Sequence, residues 1–221
     1  MTFSILARDP KTGAIGGAAA TGSLCVGGWV LRGDIRAGMS ASQGAAPSTF
    51  WGEDVLGLMR DGVSAAEAVA RVVAPDQGRD WRQLSALDLN GGTGVHTGKR
   101  NTPVMAEYAF ETGIAAGNML ASDRVPAAIA EGFLGAQGDF AGRLLDALFA
   151  GRAAGSDSRG LMSAALLVLR EDAAPLTLRI DYSEDPLADL RALLSRATSG
   201  DYGDWARQVP TMKAPQRVLD E

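Results

Sequence analysis

The sequence contains few of the residues from which metal sites and common nucleophile sites are built. Its 221 residues include a single cysteine, Cys25, and a single histidine, His96. One cysteine cannot form an internal disulfide or a multi-cysteine metal site. A histidine-based zinc site, a Ser-His-Asp triad and a Cys-His pair would each have to use His96. The sequence therefore predicts neither a metal nor a cofactor, and it disfavours these three kinds of catalytic site.

Long apolar runs and basic stripes are also missing. No segment approaches the roughly 20 apolar residues that cross a bilayer, and no basic region followed by a hydrophobic one opens the chain. The 26 acidic residues outnumber the 21 basic ones. Binding to nucleic acid or to an anionic membrane surface is therefore disfavoured. We expect a soluble, cytoplasmic protein that binds neither nucleic acid nor membranes.

Small residues are abundant instead, with 28 glycines in the chain and a concentration of glycine and alanine between Ala14 and Ala46. Such residues let backbones approach each other or a ligand closely. The length suits one domain, which we predict over residues 1–198. Residues 199–221 are predicted to form an extended tail that packs on the domain or on a partner subunit, and Trp205 in this tail suggests a homodimer.

The first residues of the chain predict a β-hairpin. Two apolar runs, 1–8 and 14–20, flank the turn-forming pairs Asp9-Pro10 and Thr12-Gly13. Thr2 follows the initiator methionine directly. If Met1 is removed, Thr2 has both a nucleophilic hydroxyl and a free α-amine that can serve as its base. The alternative is that Thr2 is an ordinary strand residue.

Further along the chain, groups of strands alternate with pairs of helices. Ser64 and Glu67 form a capping box that predicts the start of a helix. The predicted strands are 29–32, 35–43, 82–89, 93–97, 113–120, 161–169 and 176–182, and the predicted helices are 51–60, 65–73, 125–133, 140–150 and 186–196. This order predicts an α+β fold and permits two packed sheets with helices outside. No dinucleotide-binding glycine motif follows a strand and opens a helix.

Several short motifs resemble the domain-of-unknown-function 1028 family, which is grouped with the N-terminal nucleophile (Ntn) hydrolases. The resemblance covers roughly the first 190 residues. The motifs are Met-Thr-Phe-Ser at 1–4, Ala-Arg-Asp-Pro-x-Thr-Gly at 7–13, Ala-Ser-Gln at 41–43, Pro-Ser at 47–48, Arg-Gln at 82–83, His-Thr-Gly at 96–98, Gly-Asn-Met-Leu at 117–120, Asp-x-Arg-Gly at 157–160 and Ser-Ala at 163–164.

The resemblance implies a four-layer αββα sandwich of the Ntn-hydrolase type and a catalytic role for Thr2. In that role the Thr2 hydroxyl attacks an amide carbonyl while its α-amine takes the proton. The resemblance further implies that Asn118 and backbone amides around Gln43 and Gly44 stabilise the oxyanion, a kind of donor worth about 3 kcal/mol. It also places Thr21 and Ser23 where residues orient the nucleophile in such enzymes.

Other polar residues are candidates for substrate binding, each with a structural alternative. Ser42 and Gln43 end a predicted strand and could line a polar pocket. Asp157 and Arg159 could bind a carboxylate or simply pair with each other. His96 could contact substrate or serve only as a hydrogen-bonded structural residue. Cys25 could be a buried small residue or a reactive thiol.

Three hypotheses for the function follow. The first is an amidohydrolase that cleaves a small amide, imide or peptide-like metabolite through Thr2. The second is a non-catalytic protein that binds a small molecule in the same fold. The third is an enzyme that uses His96 or Cys25 while Thr2 takes no part.

Overall fold

The chain begins with the predicted hairpin, in which β1 (Thr2–Arg8) pairs antiparallel with β2 (Ile15–Thr21). The computed structural model describes residues 1–155 and 160–219. The Asp9 carboxylate accepts hydrogen bonds from the Lys11 amide and the Thr12 hydroxyl. Gly13 has a φ of 73°, which glycine adopts without steric cost. These local interactions explain why the turn forms at this point.

Two antiparallel sheets and seven α-helices make up the described part of the chain, a mixed α+β fold. The larger sheet has the strand order β10-β9-β2-β1-β8-β7, so the first hairpin lies at its centre, and the smaller sheet has the order β3-β4-β5-β6. The remaining strands are β3 (Leu31–Asp34), β4 (Gly38–Gly44), β5 (Arg82–Asp88), β6 (Thr93–Thr97), β7 (Val104–Phe110), β8 (Gly113–Leu120), β9 (Ser163–Leu169) and β10 (Leu176–Ile180).

Side-chain caps fix the starts of three helices. The Ser64, Asp139 and Asp185 side chains accept hydrogen bonds from backbone amides in the first turns of α3, α5 and α6, which would otherwise lack partners. The helices are α1 (Val26–Trp29), α2 (Thr49–Arg60), α3 (Ala65–Val73), α4 (Val125–Gly135), α5 (Phe140–Ala153), α6 (Pro186–Thr198) and α7 (Gly200–Ala206).

Three parts of the predicted element order were wrong. The predicted strand at 29–32 begins later, because the turn of α1 occupies 26–29 and β3 starts at Leu31. Strand β7 was not predicted. The tail was predicted to be extended, yet residues 200–206 form α7, which packs against α6.

Three apolar clusters hold the described elements together, and the alternation of β1 side chains places two of them on opposite faces of the larger sheet. Phe3 and Ile5 pack with residues of α4, α5 and α6. Leu6 points the other way and packs with Met39 and Leu87 of the smaller sheet. The third cluster joins the other face of the smaller sheet to α2 and α3. The two sheets therefore share an apolar layer. Near the start of β1, polar side chains replace the apolar ones in this layer.

Candidate functional site

A row of four polar side chains crosses the larger sheet at the start of β1. The strand register pairs Thr2 with Thr21 of β2 and with Asn118 of β8, and it pairs Thr21 with Ser163 of β9. Paired residues of neighbouring antiparallel strands present their side chains on the same face. Because Leu6, four residues after Thr2, faces the smaller sheet, the whole row faces that sheet as well.

Thr21 connects the Thr2 hydroxyl to the residue before it. The Thr21 hydroxyl donates to the Met1 carbonyl oxygen, and the hydroxyl oxygens of Thr2 and Thr21 lie 3.1 Å apart. A hydroxyl has one hydrogen, so the Thr2 hydroxyl is the donor in the second contact. The Met1 side chain is only 4% exposed and lies in the cluster between the larger sheet and its helices. With Met1 attached, Thr2 has a peptide nitrogen and no free amine.

The smaller sheet places two buried glutamines opposite this row. Gln43 of β4 donates from Nε2 to Gln83 Oε1 at 2.7 Å and to the Ala116 carbonyl at 3.3 Å, and it lies 3.5 Å from the Thr2 carbonyl. Gln83 of β5 donates from Nε2 to the Gly117 carbonyl at 3.1 Å. Hydrogen bonds thus join the two sheets at this end, whereas apolar side chains join them elsewhere.

The network continues outward from Gln83. Its Nε2 also donates to Thr97 Oγ1 at 3.0 Å, and the Thr97 hydroxyl donates to Glu107 Oε2 at 2.8 Å. Asn118 donates from Nδ2 to Gln83 Oε1 at 3.3 Å. The chain of hydrogen bonds therefore runs from the carbonyl of Thr2 to an exposed carboxylate on β7.

The structure brings Thr2, Thr21, Gln43 and Asn118 together, whereas Ser42 and His96 point elsewhere. Ser42 neighbours Gln43 on the same strand, so it faces α2, where its hydroxyl donates to the Ser48 carbonyl at 2.6 Å. His96 likewise lies on the outer face of β6. Its Nε2 is 3.0 Å from the Arg79 carbonyl oxygen, and its ring forms a T-shaped contact with the Trp51 ring.

Two further predicted residues border the site through their backbones. The Ser23 side chain is exposed, and its carbonyl accepts a hydrogen bond from the Ser163 hydroxyl at 2.7 Å. Gly44 ends β4 with a φ of 134°, and a Cβ there would lie 2.6 Å from the Trp81 carbonyl oxygen.

Three predicted residues remain. Cys25 is not in the polar row and has a φ of 60° just before α1. Asp157 and Arg159 lie outside the described residues.

An ion pair supports the backbone that follows Gly44. Arg82 donates from Nε to Asp76 Oδ2 at 2.8 Å and from Nη1 to the Ala46 carbonyl. The hydrogen bond from Arg82 is the largest influence on the Asp76 carboxyl and lowers its pKa. Burial opposes this effect, and the Gly78 amide adds to it by donating to the same carboxylate.

Gln83, Thr97, Asn101 and Ser163 were not predicted to belong to the site. Asn101 is fully buried and accepts a hydrogen bond from the Ala45 amide, which fixes the turn after Gly44. One signal was available for Gln83, a polar residue directly before the mostly apolar segment Leu84–Leu87 of β5. Thr97 and Asn101 carry no such signal, because their neighbours in sequence are polar or small.

Three cavities open on other parts of the surface, and none is lined by Thr2, Thr21 or Asn118. One of about 640 Å³ lies beside Arg32, Arg36 and Arg60. A smaller one of about 270 Å³ lies at the hairpin turn. The third, of about 720 Å³, lies between α7 and the β9–β10 hairpin. None of these three cavities therefore reaches the polar row while Met1 is attached.

Residues 1–155 and 160–219 contain neither a cluster suited to a metal ion nor a helix suited to a membrane. No group of three His, Cys, Asp or Glu side chains there is arranged to hold a metal ion. No helix in these ranges combines the length and the apolar character needed to cross a bilayer. The described residues thus define a mixed α+β protein in which a cluster of hydroxyls and amides joins two antiparallel sheets.

The comparisons with known proteins identify the family. Residues 2–190 match the model described as "Family of unknown function (DUF1028)". The chain belongs to this family, which confirms the family predicted from the sequence motifs. A crystal structure of protein SPO2555 from Silicibacter pomeroyi, of the same family, is similar over 100% of this chain and 96% of that one, with 56% identity and a TM-score of 0.96. Among curated proteins, no relative matches the chain.

Proposed function

We propose that the protein is an N-terminal nucleophile amidohydrolase whose two sheets and flanking helices form the four-layer αββα sandwich of that class. The observation that supports this proposal most is the position of Thr2. It starts the central strand of the larger sheet, and its hydroxyl donates to Thr21. Around it the space between the sheets is polar, while the rest of that space is apolar.

The proposed reaction begins once Met1 has been removed. The Thr2 hydroxyl oxygen attacks the carbonyl carbon of an amide, and its proton passes to the α-amine, whose ordinary pKa is about 8. The tetrahedral intermediate then collapses. Its C–N bond breaks, the α-ammonium protonates the departing amine, and the acyl group remains as an ester on Thr2. Water hydrolyses this ester to release the acid and restore the hydroxyl.

Thr21 has two roles in this proposal. While Met1 is attached, Thr21 accepts the Thr2 hydroxyl hydrogen and donates its own to the Met1 carbonyl oxygen. Once Met1 has been removed, the Thr21 hydrogen has lost that acceptor and is available to an oxyanion, and the Thr2 hydrogen is free to pass to the α-amine. A preorganised donor beside the nucleophile is what an oxyanion requires, and removal of one such donor costs about 3 kcal/mol of transition-state stabilisation. Thr21 is therefore a stronger candidate for this donor than Asn118, whose amide nitrogen contacts Gln83.

One observation favours the second hypothesis, a non-catalytic binding protein of the same fold. The Met1 side chain is buried in the helix-facing core, and its carbonyl is bound by Thr21. If Met1 stays in the mature protein, Thr2 has no α-amine and cannot act as its own base. Binding would then use a surface cavity, of which the one of about 720 Å³ beside α7 has a suitable volume.

Intact-mass spectrometry of protein purified from its own host, followed by labelling with a β-lactone, tests the proposal. A hydroxyl that attacks the lactone opens its ring, so the labelled protein gains the whole mass of the probe. We expect a mass that is short by one methionine and one label on Thr2. Thr2→Ala should take up no label. Ser4→Ala, a matched loss of a hydroxyl two residues further along the same face, should be labelled normally.

Two results would overturn the proposal. One is a mature protein that retains Met1, which would favour the binding hypothesis. The other is equal labelling of wild type and Thr2→Ala, which would place the reactive group elsewhere. Labelling of Cys25 would instead support the third hypothesis, and Cys25→Ser distinguishes it.

A further inference from the structure

Two amide oxygens beside Thr2 are buried without a hydrogen-bond partner among the described residues. They are Gln43 Oε1 and Asn118 Oδ1, and their side chains are 1% and 0% exposed. A buried acceptor left unpaired is unfavourable, because it has lost its hydrogen bonds to water and gained none in the protein. Buried polar groups in native proteins nearly always have partners. The Ser4 hydroxyl, on the same face of β1 as Thr2, is a third buried group without one among the described residues, so the unpaired atoms gather at the candidate site.

The orientation of these amides follows from Gln83. Its Nε2 lies 3.1 Å from the Gly117 carbonyl oxygen, and a carbonyl oxygen only accepts hydrogen bonds. The nitrogen of Gln83 must therefore be at that position. Gln83 Oε1 is consequently directed at Gln43 and Asn118, and each of these must turn its nitrogen toward it.

Gln43 has a second reason to keep this orientation. Its Nε2 is within hydrogen-bond distance of three oxygens that only accept, those of Gln83, Ala116 and Thr2. Turning the amide over would bring a fourth oxygen against these three. The unpaired oxygens of Gln43 and Asn118 thus result from the connected network, because reversing either amide creates an oxygen–oxygen contact.

We propose that these two oxygens accept N–H donors from the ligand, so that the site selects a neutral carboxamide or ureide over a carboxylate. Gln83 is the positioning residue that enforces this choice. A carboxylate would place its negative oxygens against two carbonyl oxygens, whereas an –NH2 group supplies two donors. The inference rests on the proposed amidohydrolase function and names its substrate class. Because the acid product is a carboxylate, the same two oxygens would repel it and so favour its release.

Binding of acetamide and acetate to the Thr2→Ala protein tests the selectivity without turnover. The two probes have the same shape and differ in donors and charge. The side-chain amide signals of Gln43 and Asn118 in nitrogen-15 NMR spectra report the contact directly. We expect acetamide to shift both signals with a dissociation constant at least tenfold lower than that of acetate. Equal affinity, or shifts from acetate alone, would overturn the proposal.

Variants at Gln83 separate positioning from simple structural support. Gln83→Met retains the side-chain volume but removes the hydrogen bonds, so the preference for acetamide should fall to less than threefold. Ser85→Ala, which alters the same face of β5 outside the network, should leave it unchanged. A preference that survives in Gln83→Met would overturn the positioning role.

A crystal structure of the wild-type protein soaked in acetamide is independent of whether the variants fold. Acetamide nitrogen within hydrogen-bond distance of both oxygens would support the proposal. An ordered water in that position, unchanged by acetamide, would overturn it. The β-lactone result decides the role of Thr2 separately, so a failure of the selectivity and a failure of the catalytic proposal can be told apart.

Discussion

The Thr2 hydroxyl donates to the Thr21 hydroxyl oxygen, and Thr21 in turn donates to the carbonyl of Met1. Both residues lie on the inward face of the central hairpin, where β1 and β2 are directly paired. A strand pair of this kind allows little movement of either side chain. Thr21 therefore holds the hydroxyl of Thr2 in one direction, which makes it the natural residue at which to test the site.

Thr21→Val keeps the branched shape of the side chain and removes its hydroxyl. We expect β-lactone labelling of Thr2 to slow about 10- to 100-fold, because a lost hydrogen bond to the reacting group raises the barrier by about 1.4–2.7 kcal/mol. Thr21→Ser retains the hydroxyl and should label within about threefold of wild type. The labelling rate followed by intact mass provides the measurement. Equal rates for all three proteins would exclude a role for the Thr21 hydroxyl.

Gly44→Ala should destabilise the protein by about 1–3 kcal/mol. Its φ of 134° lies in a region that other residues rarely adopt, and a Cβ would meet the Trp81 carbonyl oxygen at 2.6 Å. Gly57→Ala is the matched control, because Gly57 lies inside α2 with open space around its missing Cβ. The control should gain up to about 1 kcal/mol from helix propensity.

Urea unfolding of both glycine variants measures these opposite effects on the free energy of unfolding. A stable Gly44→Ala protein would mean that β4 can end in another conformation. The turn after Gly44, which Asn101 holds through the Ala45 amide, would then not be fixed. A destabilised Gly57→Ala protein would mean that a neighbour of α2 approaches more closely than the structure indicates.

Much of the fold could be predicted because local signals and periodicity agree. The turn at Asp9 and the Ser64 half of the capping box are local interactions that form as predicted, whereas the Glu67 carboxylate pairs with Arg71. Strand β7 has no comparable signal. It lies at the edge of the larger sheet, and its side chains are exposed or half-buried throughout, so no alternation marks it. Helix α7 has only seven residues and forms by packing on α6.

The candidate site was less predictable for a different reason. Thr2 and Thr21 belong to one hairpin, so their proximity follows from the turn. The contact between Gln43 and Gln83 joins neighbouring strands, but their meeting with Asn118 depends on how one sheet packs on the other. No local pattern encodes that packing. Alternation along β4 could have shown in advance that Ser42 and Gln43 face opposite ways.

Asp76→Asn should reduce stability near neutral pH and have little effect in acid. The Arg82 guanidinium and the Gly78 amide hold the pKa of the Asp76 carboxyl below its ordinary value of about 3.9. A carboxyl whose pKa is lower in the folded state contributes stability that is fully present above the unfolded pKa. That contribution is lost as pH falls through the folded pKa. We expect the variant to lose about 0.5–1 kcal/mol at pH 7.

Urea unfolding at a series of pH values between 7 and 2.5 follows this difference. The gap between wild type and Asp76→Asn should be constant down to about pH 5 and should close below about pH 4. Glu67→Gln is the control, because the Glu67 carboxylate pairs with Arg71 on an exposed helix face. Such pairs contribute about 0.3–0.5 kcal/mol, so the control should differ from wild type by no more than this at any pH. A gap for Asp76→Asn that widens in acid would have the wrong sign and would show that the carboxyl is not stabilised in its charged form by Arg82.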